Sequence, residues 1–162
     1  MAVRVQEADF DVGAEVEALT GGNKRIGGLT LFVGLVREMH VREGLHRERI
    51  DALTLEHYPG MTEKALEEIE AEAHRRWPLE ATLIVHRHGR LAAGDRIVLV
   101  AVGSPHREAA FEACAFLVDW LKTQAPFWKE EETASGSHWV EAKTEDDEAA
   151  ARWRKRPHEA AE

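Results

Sequence analysis

Hydrophobic residues recur along this chain with two periods, and each change of period marks an element. Val3–Phe10 alternates apolar and polar side chains and predicts a strand. Asp11 stands as an N-cap before a short helix, Val12–Leu19, which Gly21-Gly22 ends. Gly28–Arg37 is apolar almost throughout, the pattern of a strand buried on both faces. Glu38–Arg49 is polar, with His40, Arg42, His46, Arg47 and Arg49 among acids, and reads as a long loop. Loops of that length inside a domain are as a rule functional or mobile. Ile50–His57 alternates again, and Tyr58-Pro59-Gly60 breaks it. Met61–Trp77 then carries Met61, Ala65, Leu66, Ile69, Ala73 and Trp77 at helical spacing, and Pro78 stops it.

Ala81–Leu91 and Arg96–Ser104 predict two strands of a hairpin about Gly94-Asp95. Ser104 as cap and Pro105 as first helical residue open a long helix to about Gln124. Phe127–Glu132 and His138–Lys143 predict a second hairpin about Ser135-Gly136-Ser137, and Thr144 caps a last helix from Glu145 to about Arg156. The order β-α-β-β-α-β-β-α-β-β-α lacks strict βαβ alternation. It predicts an α+β fold with helices on one face of a mixed or antiparallel sheet.

Composition narrows the function classes. A length of 162 residues fits one domain. With 44% hydrophobic and 31% charged residues the chain is expected to be an ordinary globular protein. Net charge is −9 at pH 7, which argues against general binding to nucleic acid or membrane; any bound anion needs a local cluster of bases. No apolar run reaches the ~18–20 residues of a membrane span, and Met1–Glu7 lacks the apolar stretch of a signal peptide. The single Cys114 has no partner for an internal disulfide and sits mid-helix among apolar residues, so the expectation is an inert thiol in the cytoplasm.

Two stretches carry candidate chemistry. Ser104-Pro105-His106-Arg107 joins an apolar strand to a helix start, where free N–H groups favour an anion and His106 and Arg107 add donors. A plain helix start with solvated bases explains the same string equally well. Leu121–Lys129 puts Lys122 at the end of an apolar helix, then Pro126, two large rings in Phe127-Trp128, and Lys129. Two lysines against aromatic walls can hold a flat phosphorylated heterocycle and serve in proton transfer. The bland alternative has Lys122 capping helix carbonyls and Lys129 on the surface. Arg37, at a strand end, is weak evidence taken alone. His86 and His88 share a strand face, too few to make a metal site without a third ligand. There is no P-loop, GxGxxG, GxSxG or CxxC.

Several strings together resemble a known family. Leu55-Glu56-His57-Tyr58-Pro59-Gly60-Met61, the His86 to Asp95 segment, Ser104–Arg107, Leu121–Lys129, Gly34–Arg37 and Trp139–Ala142 are similar to the large, catalytic subunit of molybdopterin synthase. The likeness runs from about residue 3 to about residue 153, the expected domain (1–153), with 154–162 expected to fray. The resemblance implies an α/β hammerhead with an added β-rich subdomain. It implies conversion of cyclic pyranopterin monophosphate to molybdopterin, with two sulfurs installed as a dithiolene. Each sulfur would arrive as a thiocarboxylate on the C-terminal Gly-Gly of a small ubiquitin-like partner, so no bound cofactor or metal is expected. A homodimer of large subunits with a small subunit at each end is also implied. The family's basic site residues map onto Arg37, His106, Arg107, Lys122 and Lys129.

On this reading Arg37, His106 and Arg107 hold phosphate or pterin, and Lys129 positions substrate or thiocarboxylate. Lys122 moves a proton as sulfur attacks and as the tail–substrate adduct is hydrolysed. His106 and Lys122 sit about 24 Å apart on one helix at ~1.5 Å per residue, so a shared pocket needs His106 and Arg107 from a second copy. The Phe127–Lys143 hairpin is the candidate wall for an extended tail. Two other readings remain: a non-catalytic module that grips a ubiquitin-like tail, and a metal-assisted hydrolase using His86 and His88.

Overall fold

The computed structural model describes residues 1–41, 47–140 and 144–154. In chain order the elements are β1 (Ala2–Gln6), α1 (Val12–Thr20), β2 (Gly28–Leu35), β3 (Met39–Val41), β4 (Arg47–His57), α2 (Met61–Arg76), β5 (Ala81–Arg87), β6 (Gly89–Ala92), β7 (Arg96–Ser104), α3 (Arg107–Gln124), β8 (Phe127–Thr133), β9 (Gly136–Val140) and α4 (Thr144–Arg154). Residues 42–46 of the expected loop, 141–143 of the expected second hairpin, and the tail beyond Arg154 lie outside the described residues. The fold is α+β, with two sheets. One has strand order β1-β5-β7-β2, mixed because β1 runs parallel to β5. The other is antiparallel, β3-β4-β8-β9 with β6 on the free side of β4, and forms the added β-rich part.

Strand alternation explains the layers. Ile84, Val98, Val100 and Val102 face Leu66, Ile69 and Ala73 of α2, Ala113, Phe116 and Leu117 of α3, and Trp153 of α4. Leu83, Val85, Leu99 and Ala101 face the other way, against Phe10 and, from α1, Val12 and Leu19. Helices therefore cover both faces, not the single face expected. Central strands apolar on both sides require two covers. The reverse holds at β2, expected to be buried on both faces. It is a sheet edge with no fully buried residue, and Leu31, Leu35 and Phe111 of the adjoining α3 are 39%, 52% and 62% exposed.

Other boundaries shift for local reasons. The first strand stops at Gln6 instead of Phe10 because the Gln6 amide donates to the carbonyls of Ala8 and Asp9 and closes a turn, sending Phe10 into the core. Met39–Val41 pairs with Arg47–Arg49, so part of the expected loop is a ribbon. The expected strand Ala81–Leu91 is two strands in two sheets. Gly89 turns the chain at φ +89°, and a Cβ there would meet Glu7 Oε1 at 2.9 Å. Ser104 remains in β7, its hydroxyl donating to Pro78 O at 2.8 Å, so α3 starts at Arg107 with His106 as N-cap and Pro105 outside the helix. The β8–β9 turn is Ala134-Ser135, one residue earlier than expected. Asp11 caps α1 as expected, accepting from Ala14 N at 2.8 Å.

Candidate active site

The corner where α3 passes into β8 is pinned from α2. Thr62, fully buried, accepts from Tyr58 N at 3.1 Å and donates to Pro126 O at 3.0 Å, joining the β4–α2 and α3–β8 connections through one hydroxyl. Lys122 occupies the last turn of α3, where its charge complements the helix dipole, and is exposed. Lys129 lies on β8 between Leu55 of β4 and Val140 of β9 and is also exposed. Only one of the two expected aromatic walls shares its face, since neighbouring strand residues point to opposite sides. Phe127 stacks on His86, ring centroids 3.8 Å apart and 19° from parallel. Trp128 points to the other side, edge-on to Tyr58 at 4.4 Å.

A cluster of imidazoles adjoins this corner. His57 pairs with Phe127 across β4 and β8, and Leu55 pairs with Lys129, so His57 and Lys129 are diagonal neighbours on one face. The His57 ring lies 4.2 Å from that of His88, and its Nε2 is 4.0 Å from Glu63 Oε1. Glu63 is fixed by its other oxygen, which accepts from Gly60 N at 2.6 Å. His86 is buried, and its Nδ1 lies 2.8 Å from Arg87 O. Burial pushes its pKa down to about 4; the nearby Lys129, His57 and His88 add to the effect, against the bond to Arg87 O. His86 and His88 are not two ligands on one strand face, because β5 ends at Arg87. Sequence reasoning had no role for His57. His57 ends the expected strand Ile50–His57, whereas His86 and His88 lie inside the expected strand Ala81–Leu91, so their meeting is legible only once β5 is known to stop at Arg87 and β4 to pair with β8.

The remaining expected residues lie elsewhere. His106 and Arg107 are exposed at the N-terminal end of α3, where Gly28 of β2 packs so closely that a Cβ would sit 3.3 Å from Arg107 Cα. Arg37 is exposed just past β2, next to Val36, whose N–H donates to Asp95 O at 2.9 Å. Asp95 precedes β7 and His106 follows it, and nine extended residues at ~3.4 Å span about 30 Å. Within one chain, then, Arg37 and the His106–Arg107 pair occupy opposite ends of the sheet. Lys122 is separated from Arg107 by almost all of an 18-residue helix.

Cys114 is buried, and burial pushes its thiol up to about 12, so it is not a nucleophile. Among the described residues no helix is long and apolar enough to cross a membrane, and no group of three or more His, Cys, Asp or Glu is placed to hold a metal ion. Glu130, Glu131 and Glu132 follow Lys129 on β8. Glu132 pairs with Arg90 at 3.0 Å and Glu131 is buried, so the acidic run is largely structural.

The family profile described as MoaE protein matches residues 5–124. The molybdopterin synthase catalytic subunit of Ralstonia nicotianae is 52% identical over 93% of this chain and 83% of its own length. That of Pseudomonas aeruginosa is 53% identical over 94% of this chain and 99% of its own. The solved molybdopterin biosynthesis MoaE protein of Burkholderia ambifaria superposes with a TM-score of 0.76 at 53% identity, covering 94% of this chain and 98% of that one. With a profile that spans residues 5–124 and relatives about half identical over more than nine-tenths of its length, the chain belongs to the MoaE family of molybdopterin synthase catalytic subunits.

Proposed function

We propose that this chain transfers sulfur from the C-terminal thiocarboxylate of a small ubiquitin-like subunit to cyclic pyranopterin monophosphate, forming the dithiolene of molybdopterin. Family membership makes the chain the catalytic, sulfur-transferring subunit in molybdenum cofactor biosynthesis. The observation that supports the residue assignment is the α3–β8 corner, where Thr62 fixes the turn between an exposed Lys122 at the end of α3 and an exposed Lys129 on β8. Lys129 positions the thiocarboxylate or the pterin, and Lys122 moves the proton during attack and during hydrolysis of the tail–substrate adduct. Sulfur arrives on the partner, which fits a chain whose one thiol is buried, and no bound cofactor or metal is required. The reaction belongs in the cytoplasm, where a lone cysteine stays reduced.

Arg37, His106 and Arg107 bind the substrate's phosphate or pterin. The separation of the α3 ends supports a pocket completed by a second copy, which supplies His106 and Arg107. The exposed apolar side chains Leu31, Leu35 and Phe111 fit burial between two such copies. The partner's tail lies extended along the β8–β9 hairpin.

The test mixes the purified chain, preformed thiocarboxylated partner and the pterin substrate. Lys122→Ala is expected to lower dithiolene formation on the order of 100-fold or more. Near-full transfer overturns its role, and binding of the partner without dithiolene from the unaltered chain favours a non-catalytic tail-binding module. Mixed Arg107→Ala and Lys122→Ala chains should recover roughly a quarter of the activity, because half the dimers are hybrids with one intact site of two. No recovery excludes the shared pocket.

A further inference from the structure

We propose that His57 is a positioning residue of the sulfur-transfer site, acting through Lys129 to carry a proton away during the hydrolysis that frees the partner's tail. The inference rests on the function proposed above and adds to it a route for the proton. Hydrolysis of an acyl–sulfur adduct, R–CO–S–R′ + H2O → R–COO⁻ + R′–SH + H⁺, forms a C–O bond and breaks the C–S bond, whose electron pair leaves on sulfur. One proton of the water ends on sulfur, delivered by Lys122. The other must reach solvent, and Lys129, exposed in the free chain but covered once tail and substrate lie on it, passes it to a neighbour.

The cluster at β4, β5 and β8 provides that neighbour. His57 and Lys129 are diagonal on one sheet face, within reach of a lysine side chain. His57 is mostly enclosed, its side chain 14% exposed, and it touches His88 at 4.2 Å on the half-buried β5–β6 connection. The Glu63 carboxylate, 4.0 Å from His57 Nε2 and 33% exposed, is the second exit. Glu63 is held in place by its bond from Gly60 N, so the carboxylate is oriented before any proton arrives. From α2 the group facing His57 is Glu63; from β5 and its connection, His86 and His88; from β8, Lys129. His86 has no part in the relay: it is buried, stacked on Phe127, and held neutral. It fills the inner side of the cluster, behind His57 and His88.

A single-turnover experiment separates this role from a structural one. The chain is mixed with thiocarboxylated partner and pterin substrate, and two species are followed by intact mass: the covalent partner–pterin adduct and the released partner carboxylate. With His57→Gln and His57→Ala, adduct should form at the normal rate and release should slow on the order of 10- to 100-fold, so adduct accumulates. Imidazole in the medium should restore release in His57→Ala. Release at the unaltered rate overturns the proposal. So does a proportional loss of adduct formation and release in folded variants of normal circular dichroism, which is the signature of a structural residue. If His57→Ala does not fold, the glutamine variant alone gives the same two readings. Failure of the unaltered chain to form adduct at all would refute the sulfur-transfer reading instead, so the two failures are distinguishable.

Discussion

The Thr62 hydroxyl offers the sharpest test of how the corner is built. It is fully buried and makes two bonds, accepting from Tyr58 N and donating to Pro126 O. Thr62→Val keeps the shape of the side chain and removes both partners at once. Each polar group left without a partner costs about 1–3 kcal/mol, and both backbone groups are only partly buried, so the expected loss is about 2–4 kcal/mol. For a domain of this size that lowers Tm by roughly 5–15 °C. Thr62→Ser keeps both bonds and removes one methyl group, for a loss of about 1 kcal/mol. Urea unfolding of the three proteins measures the difference, and equal slopes would locate the change in stability instead of in the unfolded ensemble. The valine variant should also transfer sulfur more slowly at temperatures where it is fully folded, since the turn before Lys129 has lost its anchor. If the valine variant is as stable as the serine variant, the hydroxyl is not what joins the two connections.

Two further outcomes are expected. Trp153 is buried against Trp77 and Phe116, and its Nε1 donates to Asp119 Oδ2 at 2.7 Å, so Trp153→Ala should destabilise the protein by about 3–5 kcal/mol in thermal melts; a loss under about 1 kcal/mol would mean α4 is not part of the core. His86, lowered from 6.5 to about 4 by burial, stays neutral while an unfolded chain takes up a proton, so its contribution to stability is complete above 6.5 and is lost as pH falls toward 4. His86→Phe keeps the stack on Phe127 and should flatten stability against pH in that window by up to one proton; an unchanged slope refutes the assignment.

What the sequence made legible, and what it hid, follows from the range of the forces involved. Alternation and helical spacing located the four helices and most strands found among the described residues, because those signals are local. Caps were partly legible: Asp11 behaves as its type suggests, whereas the Ser104 hydroxyl is used by Pro78, 26 residues away, and the helix begins later. The split of Ala81–Leu91 between two sheets leaves no mark except Gly89, since both halves read as strand. The apolar runs of β2 and β7 look alike, yet β7 is covered by its own chain and β2 is an edge. Nothing in a strand's composition says whether its cover comes from the same polypeptide. Lys122 and Lys129 stood out because helix end, proline and rings are adjacent in sequence. The imidazole cluster did not, because it depends on the register of β4 against β8 and on where β5 stops.

The path of β6 carries a mechanical consequence. The chain leaves the first sheet after β5, adds one short strand to the second, and returns as β7 to lie beside the strand it left. No single cut of the polypeptide can divide the two sheets into separately foldable pieces. Heat or denaturant should therefore melt them in one step, and grafting the hairpin region onto another scaffold would tear out a strand whose neighbours remain behind.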